Sequence, residues 1–216
     1  MGIYSIVAFF QKGGLFMYPI LLVFACGMAI AVERWVQLNR TRSKNSKAWE
    51  QLHPVLSEGD FNQARAMVAE DESTIAQMLG MGLARQGAVR RREDIEIAME
   101  ESLMEIIPQL ERRTPYVALL SNIATLLGLL GTIMGLIEAF TAVANANPAE
   151  KADLLSASIS VAMNTTAFGL MAAIPLLLIH AKLTSTTGQI VDSLEMASVK
   201  ALNSISNSAK RQYTEG

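Results

Sequence analysis

Three stretches of the chain are long and nearly free of charge. The first, LFMYPILLVFACGMAIAV, runs from Leu15 to Val32 and stops at Glu33-Arg34-Trp35. The second runs from about Tyr116 to Phe140, with Glu138 as its one charge. The third runs from Leu154 to Ala181, with no acid or base except His180. A helix needs roughly 20 apolar residues to cross a bilayer core, so all three are long enough to span. The third is diluted by Ser156, Ser158, Ser160, Asn164, Thr165 and Thr166, and such a helix faces other helices or an aqueous path rather than lipid. Residues 3–10, IYSIVAFF, are apolar but too few to cross, and they read as a short interfacial helix. Only Lys12 precedes the first stretch, which is thin for the basic region of a cleaved signal peptide; the stretch is read as a retained span.

Between the first two spans the pattern changes to amphipathic helix. Residues 58–69 read as a helix capped near Asp60, with Phe61, Ala64, Met67 and Val68 on one face. Residues 74–86 place Ile75, Met78, Leu79 and Leu83 in a stripe. Residues 93–113 carry Ile95, Met99, Leu103, Ile106 and Leu110 at helical spacing, opposite Glu93, Asp94, Glu96, Glu100 and Glu101. The acidic side is read as a solvated face. This helix leads into the second span, and Pro108 and Pro115 are expected to bend it rather than end it. After the third span the period continues through Ile190, Leu194, Ala197, Ala201 and Ile205, with Gly188 as the one breaker. Pro175 is expected to kink the third span.

The predicted organisation is therefore an interfacial helix over 1–14, spans over 15–34, 115–141 and 154–181, a helical region over 35–114, a hairpin over 142–153, and a C-terminal helix over 182–216. The fold class is an all-α integral membrane protein, with three transmembrane helices and long cytoplasmic helical extensions.

Charge sets the orientation. Twelve Lys and Arg lie between Glu33 and Thr114, against one before the first span and one, Lys151, in the hairpin. Arg34, Arg40, Arg42, Arg112 and Arg113 flank span ends, where the positive-inside rule counts most. The N-terminus and the hairpin are thus expected outside, and the large loop and C-terminus inside. Trp35 at a span end reads as an interface anchor. Composition now makes sense as an average of two populations. The chain of 216 residues is 51% apolar and 18% charged, with a mean hydropathy of +0.29. Lys+Arg (18) nearly balance Asp+Glu (20), so there is no basic excess for nucleic acid. One cysteine, Cys26, excludes an internal disulfide framework, and two distant histidines make no metal site. No phosphate-binding loop, nucleophile elbow or dinucleotide fingerprint is present, so neither an enzyme activity nor a cofactor is expected.

Span two carries Gly128, Gly131 and Gly135, small residues that let membrane helices approach closely. Thr132 sits among them. It lies about nine residues from the outer end of its span, and Thr165 and Thr166 about eleven from the outer end of theirs. At about 1.5 Å per residue, the hydroxyls reach one level near the midplane, and Asn164 adds an amide. This suggests a wet polar layer without a carboxylate. A proton relay needs titratable groups, so either a partner supplies the acid or another ion passes. Three helices leave no room for a lumen, so a pore demands a homo-oligomer.

These spans resemble those of the MotA/TolQ/ExbB proton-channel family. The residues that carry the resemblance are LLGLLGTIMGLIEAF at 126–140 and TTAFGLMAAIPLLL, with Gly169, at 165–178. Three spans and 216 residues favour the ExbB/TolQ-like branch. The resemblance implies a homopentamer in the bacterial inner membrane, around a dimer of an ExbD- or TolR-like single-span protein whose aspartate carries the proton, with TonB- or TolA-like proteins as further partners. It implies that Thr132 and Thr166 line the pore, with Thr165 adjacent; the polar Asn164 and Ser160 are read as lining the same path, and Gly128, Gly131, Gly135 and Gly169 as packing helices. Some ExbB-like members have a glutamate five residues before the span-three threonine; here that position is Val161. Sodium stays open beside proton, since sodium coordination uses neutral oxygens. The expected function is an ion-conducting stator subunit that uses the ion motive force for envelope transport, envelope maintenance or motility. The alternative is a non-conducting membrane scaffold.

Overall fold

The second and third apolar stretches lie wholly inside long helices, and the first does so from Met17 onward. The computed structural model describes residues 14–86 and 92–214, with side chains through Ser208. The helix expected over 1–14 therefore falls outside the described residues, Gly14 apart. Six helices are described: α1 Met17–Glu58, α2 Phe61–Glu70, α3 Thr74–Arg85, α4 Arg92–Glu111, α5 Thr114–Asn145 and α6 Lys151–Thr214. Three helical stretches, containing α1, α5 and α6, are long and apolar enough to cross a membrane. The non-helical connection between α5 and α6 is confined to 146–150.

The prolines behave differently from one another, for a steric reason. A proline ring clashes with the carbonyl four residues earlier and removes one helical N–H. Pro54, Pro108 and Pro175 are accommodated inside α1, α4 and α6. Pro115 is not carried within a continuous helix, as the sequence suggested. The residue four before it, Glu111, is the last of α4, and Pro115 instead opens α5 near its first position, where no N–H is needed. Arg113 turns the chain between the two helices with φ +65°, the one non-glycine residue in the left-handed region among those described.

The chain divides into two units. The first comprises Met1–Arg34 and Arg113–Lys182. A Cβ on Gly14 would meet Val161 and one on Gly27 would meet Leu176, so α1 runs parallel to α6. Ser121 reaches the carbonyl of Ala173, and Thr132 that of Ala162, so α5 runs antiparallel to α6. The core is made of Ile20, Ala124, Ala172 and Ala173, with Val23, Phe24, Leu127 and Phe168 packed on it. Small residues at the centre and large ones outside invert the pattern of a water-soluble core. Leu126, Ile137 and Phe140 of α5 and Met163 and Leu178 of α6 stand exposed, as a span facing lipid or neighbouring helices requires. Where α1 and α5 meet the charged part of the chain, Arg113 pairs with Glu33 at 2.5 Å.

The second unit comprises Trp35–Arg112 and Leu183–Gly216. Its core is conventional, with Leu52, Leu56, Met78, Leu79, Leu83 and Leu194 buried. Short helices there depend on their caps. The Asp60 carboxylate accepts from the Gln63 N–H at 3.0 Å, and Ser73 Oγ from that of Ala76 at 3.2 Å. Arg65 closes the other end of α3, donating to the carbonyls of Leu83 and Gln86. Asn45 of α1 fixes the start of the same helix. Its amide donates to Thr74 Oγ1 at 2.8 Å, and its oxygen accepts from Thr74 Oγ1 and from the Ile75 N–H. Asn45 is buried, so Asn45→Leu leaves a buried donor and hydroxyl unpaired. The expected loss is about 1–3 kcal/mol, read as a lower melting temperature of the detergent-solubilised chain. An unchanged melting temperature would remove Asn45 from the framework.

A candidate ion site in the seam between two spans

The site begins with the absence of side chains. Ser121, Ala124, Gly128, Gly131 and Ala139 form one buried row along α5, with Gly135 half-buried in it. Ala162, Thr165, Gly169, Ala172 and Ala173 form the facing row on α6. At Gly128 and Gly169 the two backbones touch. A Cβ on Gly169 would lie 2.8 Å from the Ala124 carbonyl oxygen and 2.9 Å from Gly128 Cα. One on Gly135 would lie 2.9 Å from Ala162 Cβ. The four glycines read from the sequence as packing residues therefore all lie in this seam.

Close approach brings backbone oxygens of each helix within reach of the other's side chains. Thr132 Oγ1 and Thr166 Oγ1 meet across the seam in a short contact. Thr166 Oγ1 also lies 3.0 Å from the Gly128 carbonyl oxygen, on the opposite helix. Thr132 Oγ1 lies 3.2 Å from the same oxygen and 3.4 Å from that of Ala162. Two hydroxyls carry two protons, but four oxygens converge here. The cluster is acceptor-rich, neutral and half-buried. It suits a water, a hydrated proton or a monovalent cation that completes its shell with neutral oxygens.

Helix rotation separates the other candidate residues. Successive residues point about 100° apart. Thr165 is buried, its methyl against Gly131, and a Cβ on Gly131 would also touch Phe16. Its hydroxyl bonds back to the Val161 carbonyl at 2.9 Å. The Gly131–Thr165 flank of the seam is thus the one that faces the start of α1, and the Thr132–Thr166 pair lies on the other flank. Ser160 is exposed and Asn164 half-buried. At helical spacing they stand on the side of α6 away from Ala162, Thr166 and Gly169, so the structure does not bring them to the threonine pair. Val161 lies against Gly14, an apolar contact that leaves no titratable group at that position.

Sequence reasoning missed three contributors. The carbonyls of Gly128 and Ala162 carry no side-chain signature. Ser121, whose buried hydroxyl donates to the Ala173 carbonyl at 2.7 Å, could have been found, since it continues the small-residue row one turn before Ala124.

Bilayer-length helices joined by a glycine seam, with neutral oxygens gathered inside it, define a multi-pass membrane protein with a polar site between two spans. The chain belongs to the MotA/TolQ/ExbB proton channel family, whose sequence pattern matches residues 70–196. A biopolymer transport protein ExbB homologue of Methanothermobacter thermautotrophicus is 24% identical over 214 residues, covering 98% of this chain and 74% of its own. An ExbB-like biopolymer transport protein of Synechocystis is 29% identical over 189 residues, covering 85% and 72%. The Tol-Pal system protein TolQ of Haemophilus influenzae is 34% identical over 86 residues, 40% of this chain and 37% of its own. The chain is accordingly a multi-pass inner-membrane protein of the ExbB/TolQ-like branch and a subunit of the proton-channel type.

Proposed function

We propose that this chain is the ion-conducting stator subunit of an energy-transducing complex, and that ions pass along the Thr132–Thr166 flank of the α5–α6 seam. The observation that carries this reading is the acceptor-rich oxygen cluster in a seam with no carboxylate of its own. Such a cluster steadies a passing cation but cannot store a proton, so the acid comes from elsewhere. In this reading it is the aspartate of an ExbD/TolR-like single-span protein, held as a dimer within a pentamer of this chain. The Lys and Arg distribution supports an N-terminus outside and a C-terminus inside. Proton is the expected ion, and the neutral oxygens fit sodium as well.

The test is reconstitution into vesicles, with this chain alone and with a single-span partner that carries a membrane aspartate. A pH-sensitive dye and a sodium-sensitive dye inside the vesicles report the two ions. Flux is expected only when both proteins are present, and is lost when the partner's aspartate becomes asparagine. No flux of either ion in the assembled complex would overturn the reading and favour the non-conducting scaffold.

A further inference from the structure

Two helix faces of the second unit carry opposite charge. On α4, Glu93, Ile97, Glu100, Glu101, Met104 and Glu105 are all exposed, opposite the buried row that contains Ile95, Met99 and Leu103. Ile97 and Met104 are 51% and 72% exposed, which is unusual beside so many acids. On α1, Val36, Arg40, Lys44 and Lys47 are exposed, opposite buried Leu38, Asn45 and Leu52. Among the described residues, none of Glu100, Glu101, Glu105, Arg40, Lys44 and Lys47 has an ion-pair partner.

The two faces stand at matching levels. Arg92 bonds Asn203, and Met99 lies against Ser198, so α4 runs antiparallel to α6. Gly59, just after α1, lies against Ser208. Ten residues before Gly59 and Ser208 come Trp49 and Ser198, so in parallel helices Trp49 and Met99 share a level. Lys47 then stands level with Glu101, Lys44 with Met104 and Glu105, and Arg40 within a turn of Glu105. Every copy in one membrane stands the same way up, so neighbouring copies keep this match.

We propose that the acidic and apolar face of α4 docks on the basic face of α1 of a second copy of this chain. This rests on the oligomeric reading above and names the surfaces it uses. Because the two faces differ, the contact is heterologous, the kind that builds a ring when its rotation closes. Opposite charges at equal depth set the register, and Ile97 and Met104 supply apolar area between them.

The test is disulfide cross-linking of full-length chains in membranes, with Cys26→Ser as background. Chains with Lys47→Cys and chains with Glu101→Cys, co-expressed, form cross-linked dimers on mild oxidation, and neither forms them alone. In the same background Lys44→Glu lowers the yield about tenfold, and adding Glu105→Lys restores it, which a folding defect would not do. A mixture that gives no cross-link, while native mass spectrometry still finds an oligomer, overturns the docking and leaves the oligomer standing. Cross-linked dimers from either single variant alone indicate a symmetric contact and also overturn it. A monomer throughout overturns both readings.

Discussion

Thr132→Val and Thr166→Val each reduce ion flux through the reconstituted complex roughly ten- to a hundredfold, while the chain still folds and assembles. Valine keeps nearly the shape of threonine and removes the oxygen. Each loss withdraws one of four convergent oxygens and about 1–3 kcal/mol of stabilisation from a partly dehydrated cation, and about 1.4 kcal/mol is a factor of ten. The two hydroxyls touch each other, so their effects are expected not to add: the double variant is little worse than either single one. Thr132→Ser keeps the oxygen and most of the flux. Thr165→Val is the informative neighbour, since its hydroxyl bonds its own helix and its flux is expected near normal. Full flux in Thr132→Val would remove the pair from the ion path.

Gly169→Leu is expected to abolish accumulation of the folded chain in the membrane. Even alanine places a carbon 2.8 Å from the Ala124 carbonyl oxygen and 2.9 Å from Gly128 Cα. Both obstacles are backbone, so no side-chain rotation relieves the clash and the helices must part. Overpacking of this kind costs about 1–3 kcal/mol for small additions, and parting the seam also pulls Thr132 from Thr166. The melting temperature of purified Gly169→Ala measures the first effect, and its flux the second. Gly188→Ala is the control. Nothing lies within 4 Å of a Cβ there, and alanine is favoured over glycine in a helix by about 0.5–1 kcal/mol. Equal melting of Gly169→Ala and the native chain would show that the seam is not close-packed.

Helix type and the place of the long apolar helices were readable because they depend on short-range chemistry. Asp60 caps its helix in place, and the rows through Ile95–Leu110 and Ile190–Ala201 are buried as their spacing implied. Pro115 was harder. Pro108, Pro115 and Pro175 look alike in sequence, but only Pro115 falls where Glu111 and the left-handed Arg113 let the chain start a new helix. Of the candidate site residues, Thr132 and Thr166 share a level by counting from the hairpin. The same count puts Asn164 and Ser160 nearby in depth, yet it does not say which side of the helix meets α5. Depth follows from distance along one helix, whereas azimuth depends on which neighbour each face meets.

By itself, then, the sequence determined that there are three apolar helices, where the charge lies, which family the spans resemble, and that no acid stands at the level of the threonines. Each is a property of local composition or of position along one helix. Only the tertiary structure decided that Gly128 and Gly169 bring two backbones into contact, and that Thr132 and Thr166 share the oxygens of Gly128 and Ala162. It also decided that the Ala162–Thr166–Gly169 side of α6 is the one that meets α5, which turns Thr165 toward the start of α1 and leaves Ser160 and Asn164 away from the seam. Those outcomes depend on the register and rotation of α5 against α6, which small residues permit but only the packing of both helices selects.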